Sequence, residues 1–454
     1  MIYSVSRRAR ASRKEIYPAV AGAMFALIPI VSPYSIKLGS FDLSFSYAII
    51  IALSFGAILS RRRSRFSQAG CAIALAGILL ICTLVSFCLS IPNRSIGIAL
   101  RVAMTFIVIS ILYWESYQTD CVQYFVKAAY VIAALASALS FCQLIFMGTL
   151  GMTIWDGVLP FPVTNQDSFQ DLYDQGMGVF RPRSFFQEVS YLAIYLAPVF
   201  LHSLTRKKWA YALLFGATLA VSASFLGIAV LALGCIIAMK QITTSGLRVH
   251  WGKIALVVSG LFFVGLTIAA IYISSASPTL ESFINLVLRR IESVAELFVN
   301  YEWGRSSAQL RLLGNIELFG MYTPQETLVG VGMDQYSMVF SSYVTTSYGS
   351  ALVNILLNCG LIGAVSLIVM VVRLGLKGGV SALPFVAVFT LCLISDNIVF
   401  DAKFFYLLSW VLIAISVCPS RGFSRQNVLR NLPSTGIEPR LTVEGAYRES
   451  YRVD

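Results

Sequence analysis

The stretch WAYALLFGATLAVSASFLGIAVLALGCIIAM, residues 209–239, decides how the chain is threaded. As a single helix rising about 1.5 Å per residue it would reach roughly 46 Å, well beyond a hydrocarbon core of about 30 Å. Its middle, Ser222 to Phe225, reads SASF, small and polar. Two short helices packed as a hairpin fit this stretch better than one long helix.

The chain on either side is equally apolar. Its 454 residues are 57% hydrophobic and 12% charged, and the mean hydropathy is +0.77. A soluble chain would carry roughly 25% charged residues. The composition excludes a soluble globular enzyme, a disordered chain and a nucleic-acid-binding domain. Further apolar runs lie near 16–34, 42–60, 69–91, 96–114, 123–148, 185–204, 254–274, 349–372, 380–396 and 403–419. A spanning helix needs about 20 such residues. The expected fold is therefore all-α: a polytopic integral membrane protein of about twelve transmembrane helices in one domain, 1–419. The polar tail, 420–454, is expected to be cytoplasmic and disordered.

The charges orient this threading. Lys and Arg concentrate in cytoplasmic loops. With both termini inside, the cytoplasmic segments hold 23 of the 34 basic residues, RRRSR at 61–65 and RKK at 206–208 among them. The alternate segments hold eight: Lys37, Arg94, Arg181, Arg183, Arg289, Arg290, Arg305 and Arg311. A single helix over 209–239 would put RKK and the basic cluster at 240–253 on opposite sides. The basic N-terminus reads as a cytoplasmic tail, not a cleaved signal peptide. The net charge of +12 is thus mostly a topology marker.

Two outer loops are long, about 151–184 and about 275–348, and loops of that length usually carry function. Within the second, LESFINLVLRRIESVAELF (280–298) has apolar spacings of mostly three and four, an amphipathic helix lying on the membrane or capping the bundle. The nine cysteines form no CxxC pair, and two histidines are too few for a His-based metal site. No Walker A, GxSxG or GxGxxG pattern in a βαβ setting is present.

The informative charges are few. GMGVFRPRSFFQEVSYLAIYLAPVF, residues 176–200, ends the first long loop and begins a membrane helix. Arg181 and Arg183 sit just outside the membrane, and Glu188 is expected about one turn inside it. A charge there needs a partner or a wet cavity. Either Arg183 pairs with Glu188, or the arginines form an anion clamp beside a carboxylate base. Guanidinium forks bind phosphate bidentately and keep their charge. In the second loop, Arg305 and Arg311 are either salt-bridge partners among acidic residues or further anion ligands. Gly330-Val331-Gly332 permits a close backbone approach or a positive φ. Arg101 interrupts IGIALRVAMTF roughly 9 Å below the outer surface, either snorkelling or facing the same cavity. Asp396, Asp401 and Lys403 flank the last outer turn, where mutual pairing is expected or Asp396 serves as a second carboxylate near the site.

These features together resemble the bacterial O-antigen polymerase and ligase superfamily. FRPRSFFQEVSYLAIYL (180–196) is similar to that family's Arg-rich start of a membrane helix, which commonly ends in Glu-Pro-Ser; here Val189 replaces that Pro. SSAQLRLLGNIELF (306–319) followed by TLVGVGMDQY (327–336) resembles its Ser/Arg helix and Gly-x-Gly loop, and YGSALVNILLNCGLIGAV (348–365) the helix that follows. The ligases carry a histidine ahead of this last Gly-x-x-Gly; here Gly349 stands at that position, which favours the polymerase branch.

The resemblance implies a glycosyltransferase of the bacterial inner membrane. It would join oligosaccharide repeat units carried on polyprenyl pyrophosphate at the outer face, making O-antigen, capsule or exopolysaccharide. Arg181, Arg183 and Arg311 would hold the pyrophosphate, with Arg305 nearby and Arg101 as a deeper helper. Glu188 would be the base or an arginine-positioning residue. The leaving pyrophosphate is already activated, so no cofactor, nucleotide or metal is required. The implied partners are the lipid-linked oligosaccharide, membrane lipids, a chain-length regulator and a flippase, with no nucleic acid. The competing readings are an O-antigen ligase, a flippase or transporter of lipid-linked oligosaccharide, and a structural or teichoic-type membrane component.

Overall fold

The computed structural model describes residues 2–38, 41–60, 66–89, 91, 94–150, 155, 158–161, 173–174, 179–244, 314–344 and 349–416. The expected run 254–274, the helical pattern at 280–298 and the tail 420–454 lie outside them. Helices dominate. In chain order they are α1 (Ile2–Val31), α2 (Phe45–Leu59), α3 (Gly70–Ser86), α4 (Ile96–Ser116), α5 (Val122–Leu150), α6 (Val189–Thr205), α7 (Trp209–Ser222) and α8 (Phe225–Thr244). After these come two short helices, α9 (Pro324–Val329) and α10 (Tyr336–Val339), then α11 (Ala351–Ser395) and α12 (Lys403–Ser416). Two small antiparallel hairpins, which the sequence reading did not anticipate, pair β1 (Ser35–Leu38) with β2 (Phe41–Ser44) and β3 (Tyr173–Asp174) with β4 (Val179–Phe180).

The stretch 209–239 does break at its polar centre. α7 ends at Ser222 and Ala223 takes a left-handed conformation, φ 46° and ψ 32°. Ser224 then caps α8 by accepting from the Gly227 amide at 2.9 Å. A Cβ added to Gly227 would lie 3.0 Å from the Leu219 carbonyl, and one on Gly216 would lie 3.6 Å from Leu231. Residues equally far from the break are therefore neighbours, so the two helices fold back on each other. Both pack on α6, where Phe200 abuts Gly216 and Gly234.

α11 is likewise not a straight rod. Gly360 (φ 64°, ψ −164°) and Gly379 (φ 57°, ψ −155°) interrupt it with non-helical backbone. A Cβ on Gly375 would touch Val386, and the Ala351 amide donates to the Asp396 carbonyl at 3.1 Å. The chain thus descends from Ala351, turns at Gly379 and returns beside its own start. The turn falls inside the expected loop 373–379.

Among the described residues, four helices are long and apolar enough to cross a membrane: Ser67–Ser86, Ile96–Ser116, Thr119–Phe146 and Ala351–Ser395. Six shorter apolar helices accompany them. α12 lies at the centre, with every residue from Lys403 to Ile415 buried. A helix apolar all round is satisfied only by such enclosure. Tyr406 donates to the Tyr195 carbonyl at 3.0 Å, and Tyr113 and Ser409 share a bond of 3.1 Å. The outward faces stay apolar: Phe55, Ile81, Val131, Leu135 and Val369 are all more than half exposed. A soluble protein would not leave such a belt to water, and the described helices fit a multi-pass membrane protein.

Candidate functional site

The start of α2, the start of α4, the segment 330–335, the start of α11 and the turn between α11 and α12 converge at one end of the bundle. They line a half-open cavity of about 460 Å³. Ser44 and Tyr47 line it from α2, and Arg101, Val102, Thr105 and Phe106 from α4. Asp334 comes from the segment after α9, Asn354 and Asn358 from α11, and Asn397 and Phe400 from the last turn. These are the helix ends that the charge pattern assigns to the outer face.

Local chemistry explains each wall. Ser44 caps α2, Ser95 caps α4 and Ser350 caps α11, each hydroxyl accepting an orphan amide of the first turn. Thr323 and Glu326 form a reciprocal capping box at the start of α9. Arg94 then fastens the segment to α3. Its guanidinium donates to the carbonyls of Ser86 (2.6 Å), Val331 (3.4 Å) and Leu89, and lies 4.4 Å over the Phe87 ring.

Asn358 sets the Asp334 loop. It is 1% exposed. Its main-chain carbonyl accepts from the Gly332 amide at 2.8 Å and its side-chain oxygen from the Gln335 amide at 3.2 Å. Its own amide donates to Asn354 Oδ1 at 2.6 Å. Asp334, between the two fastened residues, has φ 58°. Gly330 and Gly332 have φ 72° and 101°, which bears out the conformational freedom expected of Gly330-Val331-Gly332. Asp334 is exposed at the cavity; partial desolvation by the wall pushes its carboxyl above its ordinary value, and Arg101 opposes that shift. Asn397 Oδ1 is buried beside the cavity and makes no hydrogen bond among the described residues.

A second cluster adjoins the first. Tyr47 donates to the Phe400 carbonyl at 2.7 Å. The next residue, Asp401, pairs with Lys403 at 2.7 Å, and Lys403 is 3% exposed. The Lys403 ammonium also sits 3.1 Å from the centre of the Tyr191 ring, a cation–π contact from α12 to α6. The charges of Asp396, Glu188 and Asp401 act on the same Tyr191 hydroxyl. The pairing expected between Asp401 and Lys403 is present, and it reaches the residue that follows Glu188 by three.

The apolar run expected from 185 becomes helical only at Val189, and Glu188 is the residue before α6, with φ −136° and ψ 158°. Its carboxylate accepts from Ser190 Oγ at 2.8 Å. The turn ahead of it is fixed by Gln143 of α5, which accepts from the Ser184 amide at 2.9 Å and donates to the Ser184 carbonyl at 3.1 Å. Arg183 is buried in this turn and donates to the Gln187 carbonyl at 2.7 Å. Arg181 is half-buried. Arg101 is the proposed site residue that lines the cavity, while Arg305 and Arg311 lie outside the described residues.

The sequence reading missed Asp334 and the asparagines 354, 358 and 397 as a group. One signal was present: Asp334 lies two residues after the second special glycine. Among the described residues no group of three His, Cys, Asp or Glu side chains is placed to hold a metal ion. What the cavity offers is hydrogen bonding and one pair of opposite charges on an aromatic and amide lining. No protein-family model matches the chain, and no curated protein and no solved structure matches it either.

Proposed function

We propose that the chain is a polysaccharide polymerase of the bacterial inner membrane. It joins oligosaccharide repeat units carried on polyprenyl pyrophosphate at the outer face. A hydroxyl of one unit attacks the anomeric carbon of the chain held on another, and polyprenyl pyrophosphate leaves. Arg181, Arg183, Arg305 and Arg311 hold the leaving group, and Arg101 serves the cavity it lines.

The observation that supports this reading best is the cavity itself. A polar chamber of about 460 Å³, with an arginine and a carboxylate, opens at one end of an otherwise apolar bundle. An amphiphile with a lipid tail and a hydroxyl-rich head needs those two environments side by side. The replacement of the ligase histidine by Gly349 supports polymerase over ligase.

The test is deletion of the gene followed by analysis of surface glycan length. Loss of a polymerase leaves single repeat units on their acceptor. Polymer stranded on the carrier lipid would mean a ligase, and repeat units trapped inside would mean a flippase.

A further inference from the structure

We propose that the cavity between α2, α4 and α11 is the acceptor-sugar subsite, and that Asp334 takes the proton of the attacking hydroxyl. This rests on the polymerase reading and adds to it where the acceptor lies and which group serves as base.

Charge separates the two ends of the substrate. Arg101 and Asp334 are the charged residues on the cavity wall, and their charges cancel. A pyrophosphate needs net positive charge, and a carboxylate at its side would repel it. A neutral sugar needs the opposite: donors and acceptors side by side with apolar rings to stack on. The wall supplies both. Asn354 and Asn397, both partly exposed, each carry an amide that donates and accepts, and the partly exposed Tyr47 and Phe400 supply aromatic faces. Asn397 Oδ1 has no hydrogen bond among the described residues, and a turn of this partly exposed side chain toward the cavity offers it to a sugar hydroxyl.

Asp334 is held for a task. Gly332, two residues before it, and Gln335, the next residue, are both hydrogen-bonded to the buried Asn358, so the main chain that carries the carboxylate is fastened to α11 on both sides. Its left-handed backbone is a conformation non-glycine residues rarely adopt, and such strain gathers at functional sites. Asp334 is exposed at the cavity, where a sugar hydroxyl can reach its carboxylate; partial desolvation there raises its basicity, and Arg101 limits that effect. In the step, the acceptor oxygen bonds to the anomeric carbon. The bond from that carbon to the pyrophosphate oxygen breaks and its electron pair leaves with the carrier. The hydroxyl proton passes to Asp334.

The test uses the full chain in lipid nanodiscs. The donor is polymer-bearing carrier lipid, and the acceptor is the lipid-linked repeat unit extracted from a deletion strain. Asp334→Asn is expected to lower kcat about 100-fold or more, leave the donor KM unchanged and abolish the rise of rate with pH. Asp334→Glu is expected to keep measurable activity with that rise displaced. Asn397→Ala is expected to raise the acceptor KM about 10-fold at unchanged donor KM. Thermal unfolding identifies folded variants, and Asn397→Ala carries the test if the Asp334 variants do not fold. An active wild type with Asp334→Asn following the same pH profile overturns the base assignment. An unchanged acceptor KM in Asn397→Ala overturns the subsite. A folded wild type that makes no polymer overturns the functional reading, and the inference with it.

Discussion

Gly330 and Gly360 meet backbone to backbone: a Cβ on Gly360 would lie 2.6 Å from the Gly330 amide nitrogen and 2.4 Å from the Leu328 carbonyl. In the other direction, a Cβ on Gly330 would lie 2.3 Å from the Asn358 carbonyl. Both glycines have positive φ with ψ near −165°, a region essentially closed to other residues. Gly360→Ala or Gly330→Ala is expected to destabilise by about 3 kcal/mol or more, from strain and overlap together. Gly379→Ala is the control, since Gly379 has positive φ but nothing within 4 Å. Its backbone, φ 57° and ψ −155°, lies in the same region, so it should cost the strain alone, about 1–3 kcal/mol. Thermal unfolding of the purified protein compares the three, and equal losses would mean the close approach contributes nothing.

Lys403 is expected to be the most sensitive charge in the bundle. Lys403→Met leaves Asp401 without its partner and Tyr191 without its cation. Breaking a buried pair from one side costs about 3–5 kcal/mol, and Asp401, still partly exposed, puts the expectation near 3. The double variant Lys403→Met/Asp401→Asn removes both charges and should recover part of the loss. A double variant that simply sums the two single losses would show that the charges do not interact.

How much of this was legible depended on whether one residue carried the signal. The break in 209–239 was readable because length alone forbids a single span and SASF offers the place to bend. Arg101 was readable because an isolated cation in an apolar helix demands an explanation. The start of α6 was misplaced by about one turn because Glu188 at its N-cap is not among the residues that announce one. The turn before it is held instead by Gln143, 41 residues away at Ser184. The cavity was illegible for the same reason. Asn354, Asn358 and Asn397 each look like an ordinary polar interruption, and only the fold brings them to Asp334.

Ala223 offers a test of the α7–α8 turn. Its left-handed backbone costs an L-residue about 1–2 kcal/mol, which glycine avoids. Glycine returns some of this through its freer unfolded chain. Ala223→Gly is therefore expected to stabilise by about 0.5–1 kcal/mol, and Ala223→Val to destabilise by more than that. Melting temperatures should move in opposite directions. A loss in the glycine variant would contradict the turn.

Asp334 makes stability depend on pH in a stated direction. Its carboxyl, exposed at the cavity, is raised from an ordinary 3.8, first by partial desolvation from the wall, with Arg101 pulling the other way. The folded protein therefore holds this proton more tightly than the unfolded chain does. The stability linked to it is fully present below 3.8 and is lost as pH rises through the raised folded value. Asp334→Asn has no proton to lose, so its melting temperature should fall less than the wild type's across that window. Arg101→Met removes the opposing cation, so the loss should begin at the same acidic edge and continue to higher pH. Melting curves for the three proteins between pH 3 and 8 decide the matter. Parallel curves for wild type and Asp334→Asn would mean that Asp334 titrates as a solvent carboxylate does, and that the cavity wall does not enclose it.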